Sequence, residues 1–209
     1  VSVKSPRAKE PELTARSVWV VVKLLPLLEK RVEVKEIIVQ GTSLRIVRDA
    51  RGRFSLGNVK KWITQPAKSN LFKVLTASLM NQFMVEDGAI HFIDYFNRSP
   101  EDPLPLDLQH IHFSVRKSLL DSPFQFALKG EIPNSGAPTA FQVSGAFDNF
   151  SENQGFTGIS INGKARVNEL NVSNFQPYLK KVLTKAPQDS WLSLDSSFSG
   201  YLGGAMKSQ

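Results

Sequence analysis

The chain has 209 residues, 41% hydrophobic and 22% charged, which suits one sizeable domain or two small ones and is too apolar for a disordered protein. It contains no cysteine, which excludes disulfides, thiolate metal sites and cysteine catalysis without choosing a compartment. Its net charge of +7 is concentrated: residues 1–73 hold 16 Lys or Arg against 6 Asp or Glu, whereas residues 74–209 hold 10 against 13.

That asymmetry directs attention to an anionic partner near the N-terminal third, a nucleic acid or a membrane surface, beside the plain reading of a solvated basic face. The longest greasy stretch, 18–28, is interrupted by Lys23 and Pro26, so no bilayer-spanning helix is predicted. Residues 14–24 alternate with Val18, Val20, Val22 and Leu24 on one face and Trp19 and Val21 on the other, a strand apolar on both sides that Pro26 closes. A second strand is predicted over 31–40, with a turn at Gly41, and a third follows in which Leu44 and Ile46 share a face. A polar turn spans Arg48 to Arg53. Asn58 caps a short helix through Trp62 and Ile63, and Ser69 or Asn70 caps another with Leu71, Val74, Leu75 and Leu79 on one stripe.

Further on, Asp87-Gly88 between two apolar runs predicts a two-residue hairpin turn within Val85–Ile90. The segment 37–49 resembles 83–94, each read as a hairpin whose outgoing strand an aspartate closes, a weak internal repeat. A loop over 97–105 leads to strands at 106–117, 124–132, 139–147, 156–172 and 190–202, with antiparallel neighbours as the simplest connection. One helix interrupts them, opened by Ser173 or Asn174 and running through Leu183.

Within these strands one pattern recurs: an apolar residue, any residue, glycine, any residue, then a small or apolar one. It occurs around Gly130, Gly145, Gly163 and Gly200. Strand side chains alternate, so each glycine falls on the apolar face, where it leaves a hole unless the strand bends or something approaches its backbone. The expectation is a mainly β protein with a few short helices, its curved antiparallel sheet forming an open half-pipe or groove. The pattern suits bends of an ordinary sheet as well as a groove. Read as a groove, it predicts that bulky residues at these glycines obstruct a ligand more than they unfold the protein.

Catalytic chemistry finds little support. His110 and His112, two apart, fall on one strand face, with His91 elsewhere, but no further metal ligands are placed near them. Carboxylates such as Asp94, Asp107, Asp148 and Glu169 are scattered, without a close pair to divide acid and base roles. Nucleophile elbow, phosphate loop and dinucleotide fingerprint are all missing from the sequence, so no enzyme and no cofactor is expected. Arg45, Arg48, Arg51, Arg53, Lys60, Lys61 and Lys68 offer phosphate partners, with Phe54 and Trp62 to stack, yet no nucleic-acid recognition motif accompanies them.

Residues 13–41, with the Leu24-Leu25-Pro26-Leu27-Leu28 block and the basic strand after it, resemble the bacterial AsmA family of envelope proteins. The Arg48-Asp49-x-x-Gly52 turn into Phe54 and the segment Val85–Asp94 are similar to that family as well. The resemblance is specific over 13–96 and general over 105–202. It implies a protein anchored in the inner membrane and facing the periplasm, whose long curved sheet carries phospholipid toward the outer membrane in a hydrophobic groove.

The expected lining is Val18, Val20, Val22, Ile46, Ile90, Phe92, Phe113, Phe126, Phe141, Phe147, Ile161 and Phe198, with Gly130, Gly145, Gly163 and Gly200 among them. All are equally suited to a plain core. Arg45, Arg48, Arg51, Arg53, Lys60 and Lys61 would draw anionic headgroups toward the mouth. The expected partner is a phospholipid or other acyl-chain lipid. The family's N-terminal membrane helix is absent from these residues, and the chain reads as one continuous domain, 1–96 leading into 97–209, cut from a longer protein. The competing expectation is an assembly module that binds envelope proteins through exposed edge strands.

Overall fold

The computed structural model describes residues 2–3, 12–55, 82–96, 103–117, 122–134, 136–148, 159–175, 190–201 and 206–208. Ten strands form one sheet: β1 (Ser2–Val3), β2 (Leu13–Val22), β3 (Val34–Arg48), β4 (Gln82–Asp94), β5 (Leu104–Lys117), β6 (Phe124–Ile132), β7 (Thr139–Asp148), β8 (Ser160–Asn171), β9 (Trp191–Tyr201) and β10 (Met206–Ser208). They lie in the order of the sequence. The sheet is mostly antiparallel, curved, and not closed into a barrel. The helix α1 (Leu24–Leu28) links β2 to β3, and a 3-10 turn over Val172–Phe175 follows β8. The two helices expected within 58–79 and most of the one expected from 173 to 183 lie outside the described residues.

The strands of the second half stand close to where the alternation puts them, β6 at both ends. The first half differs from expectation in instructive ways. Residues 34–48 form one strand instead of two around a turn at Gly41, and 82–94 likewise form one strand in place of a hairpin at Asp87-Gly88. Both positions have left-handed backbone, φ 59° at Gly41 and 53° at Asp87, but both sit inside strands, Asp87 at a bulge. Positive φ and an apolar flank on each side are shared by a kinked strand and a tight hairpin, so the local signal was real and its topology was not.

Because 82–94 is one strand, β3 and β4 run parallel, the exception in an otherwise antiparallel sheet. Their register pairs Ile37 with Phe83, Gln40 with Glu86, Ser43 with Ala89 and Arg48 with Asp94. The internal repeat therefore records two parallel neighbours in matching register rather than two stacked hairpins. Pro26, expected only to stop a strand, lies inside the helical turn α1. Pro105, expected in a loop, belongs to β5, paired opposite Ile93.

Bulges recur. One extra residue in β4 lets Val85 and Gly88 pair with Phe113 and Ile111, and one in β5, at His110 (φ 49°), lets Ile111 and Leu108 pair with Gly88 and Ile90. In β8 the bulge at Glu169 (φ 52°) places Val167 and Leu170 opposite Leu194 and Leu192. Each inserted residue shifts the alternation by one, which is what keeps apolar residues on one face along strands this long. The Glu169 bulge is fastened by hydrogen bonds: the buried Thr139 hydroxyl donates to the Glu169 carbonyl at 2.9 Å, and the Glu169 N–H donates to Ser193 Oγ at 3.1 Å. The His110 bulge breaks the expected placing of His110 and His112 on one face: Gln109 and His112 are the residues that share a register with β6, opposite Glu131 and Lys129.

The main contacts among the described elements are all between neighbours within the sheet. Of the described apolar residues only Ile111 and Ile159 are buried. A sheet with an apolar face normally covers it with a second layer; the described elements supply one layer.

Candidate functional site: an apolar face running across the sheet

Residues paired across neighbouring strands share a face. Following the registers, Val20 pairs with Ile37, Ile37 with Phe83, Phe83 with Val115, Val115 with Phe126, Phe126 with Gly145, Gly145 with Gly163, and Gly163 with Phe198. This row crosses from β2 to β9, about 34 Å at the usual interstrand spacing. A second row runs beside it through Val18, Val39, Val85, Phe113, Leu128, Val143 and Ala165. Further segments flank the two: Ile46–Phe92–Leu106 and Leu44–Ile90–Leu108 on one side, Phe124–Phe147–Ile161–Gly200 on the other. Aromatic rings tie the face together, Phe124 stacked on Phe147 at 5.0 Å and Phe83 edge-on to Phe113 at 6.3 Å.

The opposite face carries the polar pairs, alongside a short apolar row of Trp19, Ile38 and Met84 near β2. Ser17 Oγ donates to Gln40, whose amide donates to Glu86 at 2.8 Å; His91 meets Asp107 at 2.9 Å; Arg166 Nε donates to Asp195 at 3.0 Å.

Of the predicted lining, Val18, Val20, Ile46, Ile90, Phe92, Phe113, Phe126, Phe141, Phe147, Ile161 and Phe198 fall on this face, together with Gly130, Gly145, Gly163 and Gly200. Val22, two residues on from Val20 and on the same side of β2, pairs with Val34 across a bulge in β3. Ile37, Val39, Phe83, Val85 and Val115, central to the rows, were missed. A slip in the apolar alternation, Phe83, Val85, then Gly88, Ile90, Phe92, marks the bulge in the sequence and would have placed them.

The holes at Gly130, Gly145 and Gly163 are filled. Gly130 and Gly163 lie directly opposite Phe141 and Phe198, and a Cβ on either would come within 2.8 Å or 2.6 Å of that ring. At Gly145 a Cβ would come within 2.0 Å of the Asn162 carbonyl oxygen and 2.7 Å of the Gly163 Cα. Thus the phenylalanines lie over the glycines and two backbones meet, which smooths the face. The expectation that bulky replacements obstruct a ligand more than they unfold the protein does not suit this geometry at Gly145, where the clash is with backbone.

Of the predicted headgroup residues that the structure describes, Arg48, Arg51 and Arg53 lie in the turn that ends β3, with Arg45 just before it. Arg48 is held inward: its guanidinium lies 4.0 Å from the Phe96 ring centre and 3.6 Å from the buried carboxylate of Asp94, and its buried Nε has no hydrogen-bond partner among the described residues. Arg53 Nε donates to Asp49 at 2.7 Å, and the backbone N–H groups of Arg51 and Arg53 donate to the same carboxylate. The Arg53 peptide N–H is the main cause that holds the Asp49 carboxyl below its ordinary range; desolvation opposes it, and the Arg53 side chain and the Arg51 N–H add to the lowering. Arg45 pairs across to His91 on the polar face, Arg51 is exposed, and Lys60 and Lys61 lie outside the described residues. No family model, curated protein or solved structure matches the chain.

Proposed function

We propose that this chain is a lipid-carrying segment of an AsmA-like envelope protein, anchored by a segment beyond these residues at the periplasmic side of the inner membrane, whose apolar face holds acyl chains of phospholipid moving toward the outer membrane. The observation that carries this reading is the register-matched apolar face from β2 to β9, to which the described elements add no second layer. An acyl chain, which fills about 15 Å of one bilayer leaflet, covers about half of such a row. Each methylene withdrawn from water contributes about 0.8 kcal/mol, so one chain offsets much of the cost of holding the face open. The work is binding and not catalysis. Organic extraction of the purified protein followed by mass spectrometry tests it: co-purified phospholipid is expected, and a protein free of lipid after preparation from membrane-containing lysate counts against it.

A second reading rests on the sheet's edges. Among the described residues β1 covers only Leu13 and Thr14 of β2, and β10 covers only Phe198–Gly200 of β9, leaving Trp191, Leu192 and Leu194 exposed. Strand addition there would make the chain an assembly module. Cross-linking at Leu194 that captures an envelope protein in the absence of lipid binding favours this reading.

A further inference from the structure

The segment between β2 and β3 is constructed to hold leucines out. Leu24, Leu25 and Leu28 of α1 are 77, 78 and 83% exposed, and Val32 beyond them is 73% exposed. This is not loose chain: the Arg31 N–H donates to the Pro26 carbonyl at 2.9 Å and the Lys30 N–H to the Leu27 carbonyl at 3.0 Å, which together form a Schellman motif. The left-handed position of that motif, usually glycine, is occupied by Lys30 at φ 58°. A lysine there carries a backbone cost that glycine avoids, and it puts a cation beside the leucines.

The surrounding charge has one sign in excess. Residues 23–35 hold four cations, Lys23, Lys30, Arg31 and Lys35, against Glu29 and Glu33. Both acids are engaged, Glu33 by Lys23 at 3.2 Å and Glu29 by Arg31. Exposed leucines within a cationic collar are the composition of a segment that inserts into the headgroup region of an anionic bilayer, and neighbouring Trp19, 60% exposed on β2, suits the same depth. The position fits too, since Val20 and Val18, where the apolar rows begin, belong to the strand that runs directly into α1.

We propose that Leu24, Leu25 and Leu28, with Lys30, form a peg that seats the β2 end of the sheet on an anionic phospholipid bilayer. This contact goes beyond the proposed function and does not require that the face carry lipid.

Flotation of the protein with phosphatidylcholine vesicles, with and without phosphatidylglycerol, tests it. The native chain is expected to float with the anionic vesicles and to be released by salt. Leu24→Ser/Leu25→Ser/Leu28→Ser, which alters only exposed side chains, should lower the partition coefficient at least about tenfold. Lys30→Gly keeps the motif and relieves its backbone, so the fold stays intact while partition onto anionic vesicles drops about fivefold. Absence of flotation by the native chain, or equal flotation by the triple-Ser variant, overturns the proposal; so does leucine-dependent self-association in sedimentation velocity without vesicle binding. Lipid extraction reports on the apolar face alone, so the two readings fail separately.

Discussion

Gly145 is the residue at which the sheet tolerates least. Its missing Cβ is what lets the Asn162 carbonyl and Gly163 approach, so Gly145→Ala forces backbone apart and is expected to cost about 3 kcal/mol. Gly136, whose Cβ would meet nothing within 4 Å, supplies the control: Gly136→Ala should change stability by less than about 0.5 kcal/mol. Urea midpoints of the two variants check the contrast, and equal midpoints would contradict it. The residue scale also contains a titration. Because Asp49 is held below its ordinary value, its bonds to the 51–53 backbone favour the folded turn above the unfolded-state value and are lost as pH falls through the depressed one. Carboxyl-detected NMR should find Asp49 titrating below the ordinary aspartate range; Arg53→Ala should raise that value only in part, since the two backbone donors remain.

At the scale of elements, bulges decide what faces the groove. Removing Asp87 would erase the bulge: Ile90 and Phe92 would stay on the apolar face, but the parallel register with β3, where Gln40 to Ser43 matches Glu86 to Ala89, would slip by one, so the single deletion is expected to lower the melting temperature. Asp87→Gly keeps the bulge and relieves a left-handed aspartate, while it gives up only an exposed contact to His110 at 3.4 Å; stability should hold or rise by about 1 kcal/mol. Thermal melts by circular dichroism separate the two outcomes. This is also where legibility in the sequence ran out. Strands β6 to β9 were readable because their alternation is unbroken for most of their length and their glycines keep phase with it. Strands β3 and β4 were not, because Gly41 and Asp87-Gly88 present the same positive-φ chemistry as a turn, and only pairing across the sheet tells a kinked strand from a hairpin. The parallel register was present all along as the repeat between 37–49 and 83–94, a local similarity whose meaning is non-local.

The described strands of the molecule form a single layer. Its candidate site was half legible: most of the lining residues could be named from apolar alternation, but their joining into rows required the left-handed position at Gly41 and the bulges at Asp87, His110 and Glu169. The basic residues were legible as charge and not as place, since Arg48 is engaged by Asp94 of β4 and Arg53 by Asp49 of its own turn, while Leu24–Leu28 lies at the other end of β3. At this scale the binding element we propose is the apolar face and not an individual residue. Uptake of a phospholipid with a fluorescent acyl chain tests that most directly. The native chain should show a saturable rise in emission, retained by Gln125→Glu on the polar face and abolished by Phe126→Asp on the central row, with both variants folded by circular dichroism. No uptake by the native chain, or undiminished uptake by folded Phe126→Asp, would contradict the account.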